Sequence, residues 1–568
     1  MPPGTEDARN KQPPEGWRPT RARLSREEEA DRALNHTQFR PGTKWGLLIL
    51  FVGIVFCVPV AQCLVELYGG SGKSNTFELL GSLAPNFERG GSWLRFWEIF
   101  PSAQTIKSTE KKLDDSSVLS RWALPLVQSG LTGWGRTGNK EVYAGTASWL
   151  FYRPDVEYVT GPPFLDPARL EQRRRDPGTQ PDPIQAIIQF KSELTLRDVD
   201  LLVLPIPVKP CVEGDRLSSL VPATEILQNP SFTEFKRRLQ EAGIRVLDLG
   251  PHFIRVKQER GNVPIYLETD THWRPEIMEL AAREVASVLG TLPSTKQLSL
   301  QSNQQPVTNL GDILTLLKLP PTQTIYRPET VSISTISSGY SLWHSDRGAD
   351  VLVLGDSFCN IYSLEQMGWG ESAGFVEHLS KALGGRPIDC ILRNSDGAFA
   401  TREILSHELS RGNDRLSGKK IVIWEFAARE LAFGNWKSIE MELRKPAPSR
   451  FLTLKSGEDL MVTGVVQEMS EVPLPGSIPY KDHIAAIELS ELSSSVSLLA
   501  DSTHAVVYLW GMRDNVWTRA ARLRSGDRVK LHLFSWDDYS AQYEKFNRSE
   551  LEDPTLQLQD PTWGELIQ

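Results

Sequence analysis

Three residue types that together can move an acyl group stand in two short stretches of this 568-residue chain: Asp270-Thr271-His272-Trp273 and Gly355-Asp356-Ser357-Phe358. A serine hydroxyl is a weak nucleophile until a base sits beside it, and an imidazole serves as that base when a carboxylate fixes its tautomer. Of the nine histidines, His272 is the one beside a carboxylate at the expected end of a strand. In extended backbone, residues i and i+2 face the same way, so Asp270 and His272 can point into one pocket. Ser357 follows a short apolar run, 351–354, and a tight turn at Gly355. At such an elbow, ahead of a helix, its Oγ is exposed and free N–H groups favour developing negative charge. The expected site has Ser357 as nucleophile, His272 as base and Asp270 as orienter. A metal reading of Asp270 and His272 finds no third ligand at a suitable local spacing, so neither metal nor cofactor is expected.

The elements that must position these groups alternate. Short apolar runs at 199–205, 244–249, 263–267, 350–354, 388–392 and 420–424 are separated by helical patterns such as 232–242 and 275–289. In the second helix Ile277, Ala281, Val285 and Val288 fall on one face, with Gly290 as the stop. The 263–267 run leads straight into Asp270. Such alternation predicts an α/β fold, a doubly wound and mostly parallel sheet over 145–440, with ligands at the carboxyl ends of its strands. Beyond Arg450 the runs 461–469, 483–489, 505–510 and 527–534 lack comparable helices between them. They predict a small antiparallel β domain over 450–540, a five-stranded barrel of the OB type being the expected form. Residues 541–568 read as a weakly structured tail.

The N-terminal part reads differently. Residues 1–43 are rich in Pro, Arg and Glu and are expected to be a disordered cytoplasmic tail. Residues 44–67 are almost wholly apolar and long enough to span a bilayer as a helix. Arg and Lys crowd the side before this span, which predicts a single-pass membrane protein whose tail stays in the cytoplasm and whose bulk is exported; a bacterial periplasm fits that reading. Residues 68–144 form a juxtamembrane and helical lead-in. The net charge of −8 is spread without a basic stripe, which argues against nucleic acid as a partner. Three cysteines outside the span, Cys211, Cys359 and Cys390, cannot all pair. Cys359, two residues after the serine, is read as packing.

Gly355-Asp356-Ser357-Phe358 resembles the first block of the SGNH (GDSL-like) hydrolases, although here Asp-x-His precedes the serine rather than following it. That inverted order resembles the AlgX/AlgJ-like alginate O-acetyltransferases, as do Trp149-Leu150-Phe151-Tyr152, Pro205-Ile206-Pro207-Val208-Lys209 and Trp424-Glu425-Phe426 with Arg429. The resemblance covers roughly residues 100–435. It implies an acetyl-enzyme on Ser357, with His272 as base and then acid. It also implies a polysaccharide hydroxyl as acceptor and a multispanning MBOAT-type membrane acyltransferase as acetyl donor. An O-acetylesterase with the same triad, or a non-catalytic glycan-binding scaffold of an export complex, are the competing functions.

Oxyanion and substrate contacts are less marked. The Ser357 N–H is the first candidate donor, and Asn394 is either a second donor or a turn residue. Arg402 is either a contact to a carboxylated sugar or acetyl oxygen, or an exposed helix arginine. Trp273 either supports the His272 ring, stacks on a sugar or packs in the core, and Lys209 is read as structural. Trp510, Trp517 and Trp536 in the β domain are either core or a glycan-binding surface.

Overall fold

The computed structural model describes residues 41–66, 106, 109–110, 117–290, 296–394, 396–445, 450–476, 478, 480–494 and 502–567. The expected tail 1–43 lies outside the described residues apart from 41–43, and of the expected lead-in 68–144 the described residues are 106, 109–110 and 117–144. The chain divides into two compact units, Met1–Arg121 and Trp122–Gln568. In the first, helix α1 (Pro41–Glu66) holds one stretch, Gly42–Val65, long and apolar enough to cross a membrane; it is the single such stretch among the described residues. At about 1.5 Å per residue, its 24 residues reach past a hydrocarbon core of about 30 Å.

The second unit is built around five strands, β1 (Asp200–Ile206), β2 (Arg245–Val246), β3 (Val351–Gly355), β4 (Asp389–Leu392) and β5 (Ile421–Ala427), in the order β2-β1-β5-β3-β4. All four pairings are parallel. Every residue of β3, β4 and β5 is buried, as continuous apolar runs covered on both faces require. Helix Pro275–Leu289 buries Ile277, Met278, Ala281, Ala282, Val285 and Leu289 and stops at Gly290 (φ +64°). Val288, expected on that face, is exposed instead, because the stripe turns to Leu289 in the last turn.

Residues 263–267 form no strand of the sheet. A buried carboxylate, Glu213 Oε1, takes the Ile265 N–H at 2.6 Å, so this segment's backbone bonds to a side chain rather than to a neighbouring strand. The segment closes on itself through a Tyr266–Trp273 bridge, with Leu267 N–H to His272 O at 3.1 Å and Arg274 N–H to Ile265 O at 2.9 Å. Between the helix Pro275–Leu289 and β3 the chain also forms an unforeseen ten-residue hairpin, Leu300–Asn309 with Glu329–Ser338. Its first strand is polar and mostly exposed, so no alternation announces it.

The segment 541–568, expected as a weakly structured tail, is built into the C-terminal sheet. Residues Pro561–Leu566 form a strand wedged between two others, and Trp563 is buried against Tyr539, Tyr543 and Trp510. The C-terminal sheet comprises β6 (Asp459–Met469), β7 (His483–Ser493), β8 (Ala505–Arg513), β9 (Val516–Trp517), β10 (Arg528–Ser535), β11 (Arg548–Ser549) and β12 (Pro561–Leu566). Strands β6-β7-β8-β12-β10 pair in a ring that returns to β6, a closed barrel-like sheet. It is not purely antiparallel, since β8–β12 and β7–β11 run parallel. The barrel needs β12 to close, so tertiary insertion rather than local pattern makes this segment a strand. Trp536 is buried within this module, and the Trp517 Nε1–H is given to the Pro473 carbonyl.

Candidate active site

Ser357 sits where the sheet delivers it, two residues past the carboxyl end of β3. Asp356 shapes the elbow: one carboxylate oxygen takes the Phe358 N–H at 2.8 Å and the other the Ala427 N–H at 2.9 Å. Gly355 is required by space, since a Cβ there would lie 2.6 Å from Cys359 Sγ and 2.9 Å from Glu425 Oε2. The helix after the serine is one turn, Ser357–Asn360, too short for a helix macrodipole to count for much. The local N–H groups remain, and that of Ser357 makes no hydrogen bond among the described residues. Cys359 is buried and gives its thiol hydrogen to Glu425 (3.1 Å), a packing role.

His272 is placed by a loop instead of a strand. Its main-chain N–H is given to Asp270 Oδ1 at 3.1 Å, a side-chain-closed turn that keeps residues i and i+2 together without extended backbone. The same oxygen accepts the His272 Nδ1–H at 2.6 Å. Asp270 Oδ2 takes the Trp369 Nε1–H at 2.9 Å and the Asp312 N–H at 3.1 Å. With Nδ1 committed, Nε2 is the acceptor facing the Ser357 hydroxyl, 2.8 Å away. The two distant stretches therefore meet in one hydrogen-bonded line, Ser357–His272–Asp270. Asp270 and His272 are almost fully buried, and Ser357, expected to stand exposed at its elbow, is itself buried at 6 % exposure because the Asp270–His272 loop covers it, though it is the most accessible of the three.

The electrostatics follow from this packing. Burial opposes charge on Asp270, but His272, Trp369 and the Asp312 N–H outweigh it and hold the carboxyl down at about 2. Burial opposes the imidazolium too, yet Asp270, together with Asp312 and Asp356, outweighs it and raises His272 above its ordinary value. Asp312 is the unforeseen member. It takes the Thr271 N–H (2.8 Å) and hydroxyl (2.6 Å), and its Oδ2 lies 3.8 Å from His272 Nδ1. Burial and the neighbouring negative Asp270 push its carboxyl up to about 6. No local spacing could have announced it, because the hairpin carries it in from 40 residues away. One trace exists: Gly311 lies so close to the Thr269 carbonyl that a Cβ would be 2.2 Å from its oxygen.

Asp312 also supplies the third carboxylate or imidazole atom that a metal reading lacked, all such atoms lying within 4.8 Å of one another. The hydrogens decide against it. Four N–H donors already point at Asp270, and Thr271 points two more hydrogens at Asp312. This is an anion cradled by donors rather than a cation cage.

Lys209 holds the loop from below. Fully buried, it gives hydrogen bonds to the carbonyls of Leu150 (2.6 Å), Glu268 (2.9 Å) and Asp270 (3.1 Å). Burial lowers its pKa to about 8. Trp273 is core: fully buried, edge-on to Phe358 at 5.3 Å and stacked near Phe375, it backs the Phe358 ring that lies 4.8 Å from the His272 ring. Arg402 is neither exposed nor at the site. It is fully buried over the Trp424 ring at 4.4 Å, with one bond to the Lys437 carbonyl, and burial lowers its pKa to about 9. Its helix, Ala400–Ser410, turns that face inward, which a polar residue on a short helix does not disclose.

Asn394 lies beside the serine turn. Its carbonyl oxygen accepts from Asn360 Nδ2 (2.9 Å), and its amide donates to Asn547 Oδ1 (2.9 Å) of the C-terminal module. Asn547 Nδ2 returns a bond to the Asn394 main-chain oxygen at 3.1 Å. The module is pinned there further by Arg415 between Asp389 and Glu544.

Residues 142–428 match the family model described as "SGNH hydrolase-like domain, acetyltransferase AlgX". The chain belongs to that family. Among its relatives is the probable alginate O-acetylase AlgJ of Azotobacter vinelandii, 26% identical over 400 residues, which span 67% of this chain and 88% of that protein. Another is the protein of the same name from Pseudomonas aeruginosa, 26% identical over 309 residues, 52% of this chain and 71% of that one. The O-acetyltransferase domain of Pseudomonas putida AlgJ aligns at a TM-score of 0.39 and 20% identity, covering 52% of this chain and 93% of its own.

Proposed function

We propose that this chain is a membrane-anchored O-acetyltransferase of an alginate-like exopolysaccharide, acting through an acetyl ester on Ser357. The observation that carries the reading is the 2.8 Å and 2.6 Å line from Ser357 through His272 to Asp270. Within hydrogen-bond reach, His272 Nε2 takes the Ser357 proton as Oγ attacks the acetyl carbonyl. The Ser357 N–H faces the resulting oxyanion. Asn394, which keeps one amide hydrogen after its bond to Asn547, is proposed as the second donor. His272 then protonates the departing donor group, leaving the acetyl-enzyme. In the second half a sugar hydroxyl gives its proton to His272 and attacks the ester, and collapse returns the proton to Ser357 Oγ. Asp270 stays ionised throughout and keeps the imidazole in one tautomer.

The names carried by the relatives favour a polysaccharide acceptor. The apolar α1 and the basic residues before it favour a single-pass anchor in the inner membrane with the site in the periplasm. A multispanning MBOAT-type acyltransferase in the same membrane is the proposed donor. The strand ring β6-β7-β8-β12-β10, with its one parallel pair β8–β12, favours an OB-type barrel.

The test supplies the full-length protein with a small activated acetyl ester and alginate oligosaccharides, and follows both acetylated sugar and free acetate. Transfer predicts sugar acetylated faster than acetate is released, with both abolished by Ser357→Ala. Acetate release unaffected by added sugar would make the protein an esterase. Acetylation that survives Ser357→Ala would reduce it to a scaffold.

A further inference from the structure

Helix α2 (Val118–Gly135) is inside out. In a surface helix of a water-soluble domain the apolar stripe faces the core and the polar residues face water. Here the buried residues are Gln128 and Thr132, four apart on one face. Gln128 Nε2 bonds Thr132 Oγ1 (2.9 Å) and the Gly138 carbonyl (3.2 Å), and Thr132 Oγ1 bonds the Thr137 carbonyl (3.1 Å). The opposite arc carries Trp122, Leu126 and Trp134 on one four-residue row and Val127 and Leu131 on the next, all exposed, the two tryptophans at 71 % and 95 %. Ile325, also exposed, lies against the helix at Gly133 and widens the patch. From Trp122 to Gly135 there is no charged residue. Contiguous apolar surface of this kind marks something that covers it.

We infer that the Trp122–Trp134 face of this helix lies in the plane of the bilayer surface, its apolar arc in the headgroup–acyl boundary. The inference rests on the reading of α1 as a membrane span, which places a bilayer within reach of the chain. At 18 residues with Arg121, Gln128, Ser129 and Thr132 in it, the helix is too short and too polar to cross one. Its two tryptophans stand about 18 Å apart along the axis, the amphipathic rings that favour the membrane–water interface. The residues that follow complement anionic headgroups, for Arg136 and Lys140 are both exposed. A helix so held would fix the height of the domain above the membrane from which the acetyl donor is proposed to emerge.

The test uses the full-length protein in vesicles of phosphatidylethanolamine and phosphatidylglycerol, with a photoreactive benzophenylalanine placed at position 126 or, as a control, at position 220. Leu220 is 90 % exposed and lies far from α2 in sequence. After irradiation, mass spectrometry is expected to find phospholipid adducts at position 126 at least about tenfold above position 220. A Trp122→Ser/Trp134→Ser pair should cut that yield severalfold while leaving hydrolysis of a small acetyl ester unchanged. Adducts at 126 to other residues of this chain, to a second copy, or at the yield of 220 would overturn the inference while α1 still holds the protein on the vesicles. A chain that fails to float with vesicles would overturn the anchor reading and this inference with it.

Discussion

The two sides of the candidate site are built by different means. The serine side is backbone: a buried parallel strand, a glycine where no Cβ fits, and a one-turn helix capped by Asp356. The histidine side is side chains acting on backbone: Lys209 on three carbonyls, Glu213 on the Ile265 N–H, Asp312 on Thr271 and Trp369 on Asp270. A strand end is placed by the ladder of the whole sheet, and the side chains that close the elbow, Asp356 and Glu425, stand on that sheet or at its edge. The loop is held by a few buried polar groups, and each is costly to remove once its partner has no water to turn to. The serine side should therefore fail only when Ser357 or the Asp356 that caps its elbow goes, and the histidine side by degrees.

The largest effects test the line common to both. Ser357→Ala and Asp270→Asn are each expected to lower kcat by about 10³- to 10⁴-fold without unfolding the protein, measured by acetyl transfer and by circular dichroism. The asparagine leaves the imidazole in the wrong tautomer. If Asp270→Asn costs less than tenfold, the orienting role fails and the histidine side needs another explanation.

Next comes Lys209→Met, which touches no reacting atom. It leaves the Leu150 and Asp270 carbonyls short of donors and is expected to cost about 2–4 kcal/mol of stability in urea unfolding, with a kcat loss of about 10- to 100-fold. A variant as stable as the parent would break the contrast, because the loop would then be holding itself.

The same contrast decides what could be read from sequence. The serine elbow was legible because a continuous apolar run ending in glycine is a local signal, and β3 lies where that run stands. The Asp270–His272 pairing was legible as residue types, but its support was misjudged. The segment before it looked like a strand, and only the fold reveals that Glu213 claims its N–H groups. Asp312 and Trp369 arrive through sequence separations of 42 and 99 residues, which no periodicity encodes. Trp563 makes the same point in the C-terminal module, where a strand with little alternation is created by the gap it fills.

A subtler effect falls on Asp312. Its negative charge helps to raise the His272 pKa, and a raised base loses its proton later as pH climbs. The acid limb of kcat/KM, which reports that deprotonation in the free enzyme, should therefore lie above the ordinary histidine value. Asp312→Asn removes one source of the rise and should move the limb toward lower pH, with a loss of at most about tenfold at pH 8 from the weakened hold on Thr271. A limb that stays put would assign Asp312 to structure alone.

The smallest effect probes the serine side from outside the α/β region. Asn547 reaches from the C-terminal module to both the side chain and the main chain of Asn394, next to the turn that carries Ser357. Asn547→Ala removes two hydrogen bonds and should cost about 1–2 kcal/mol of stability. Because the elbow is fixed by the sheet, kcat should fall only about threefold, through looser placement of Asn394, with KM for the acetyl ester unchanged. A fall beyond about 30-fold, roughly 2 kcal/mol in the barrel's contribution to the transition state, would show that the serine side also depends on a side chain brought in from afar. The two halves of the site would then be built alike, and the C-terminal module would count as part of the reacting centre.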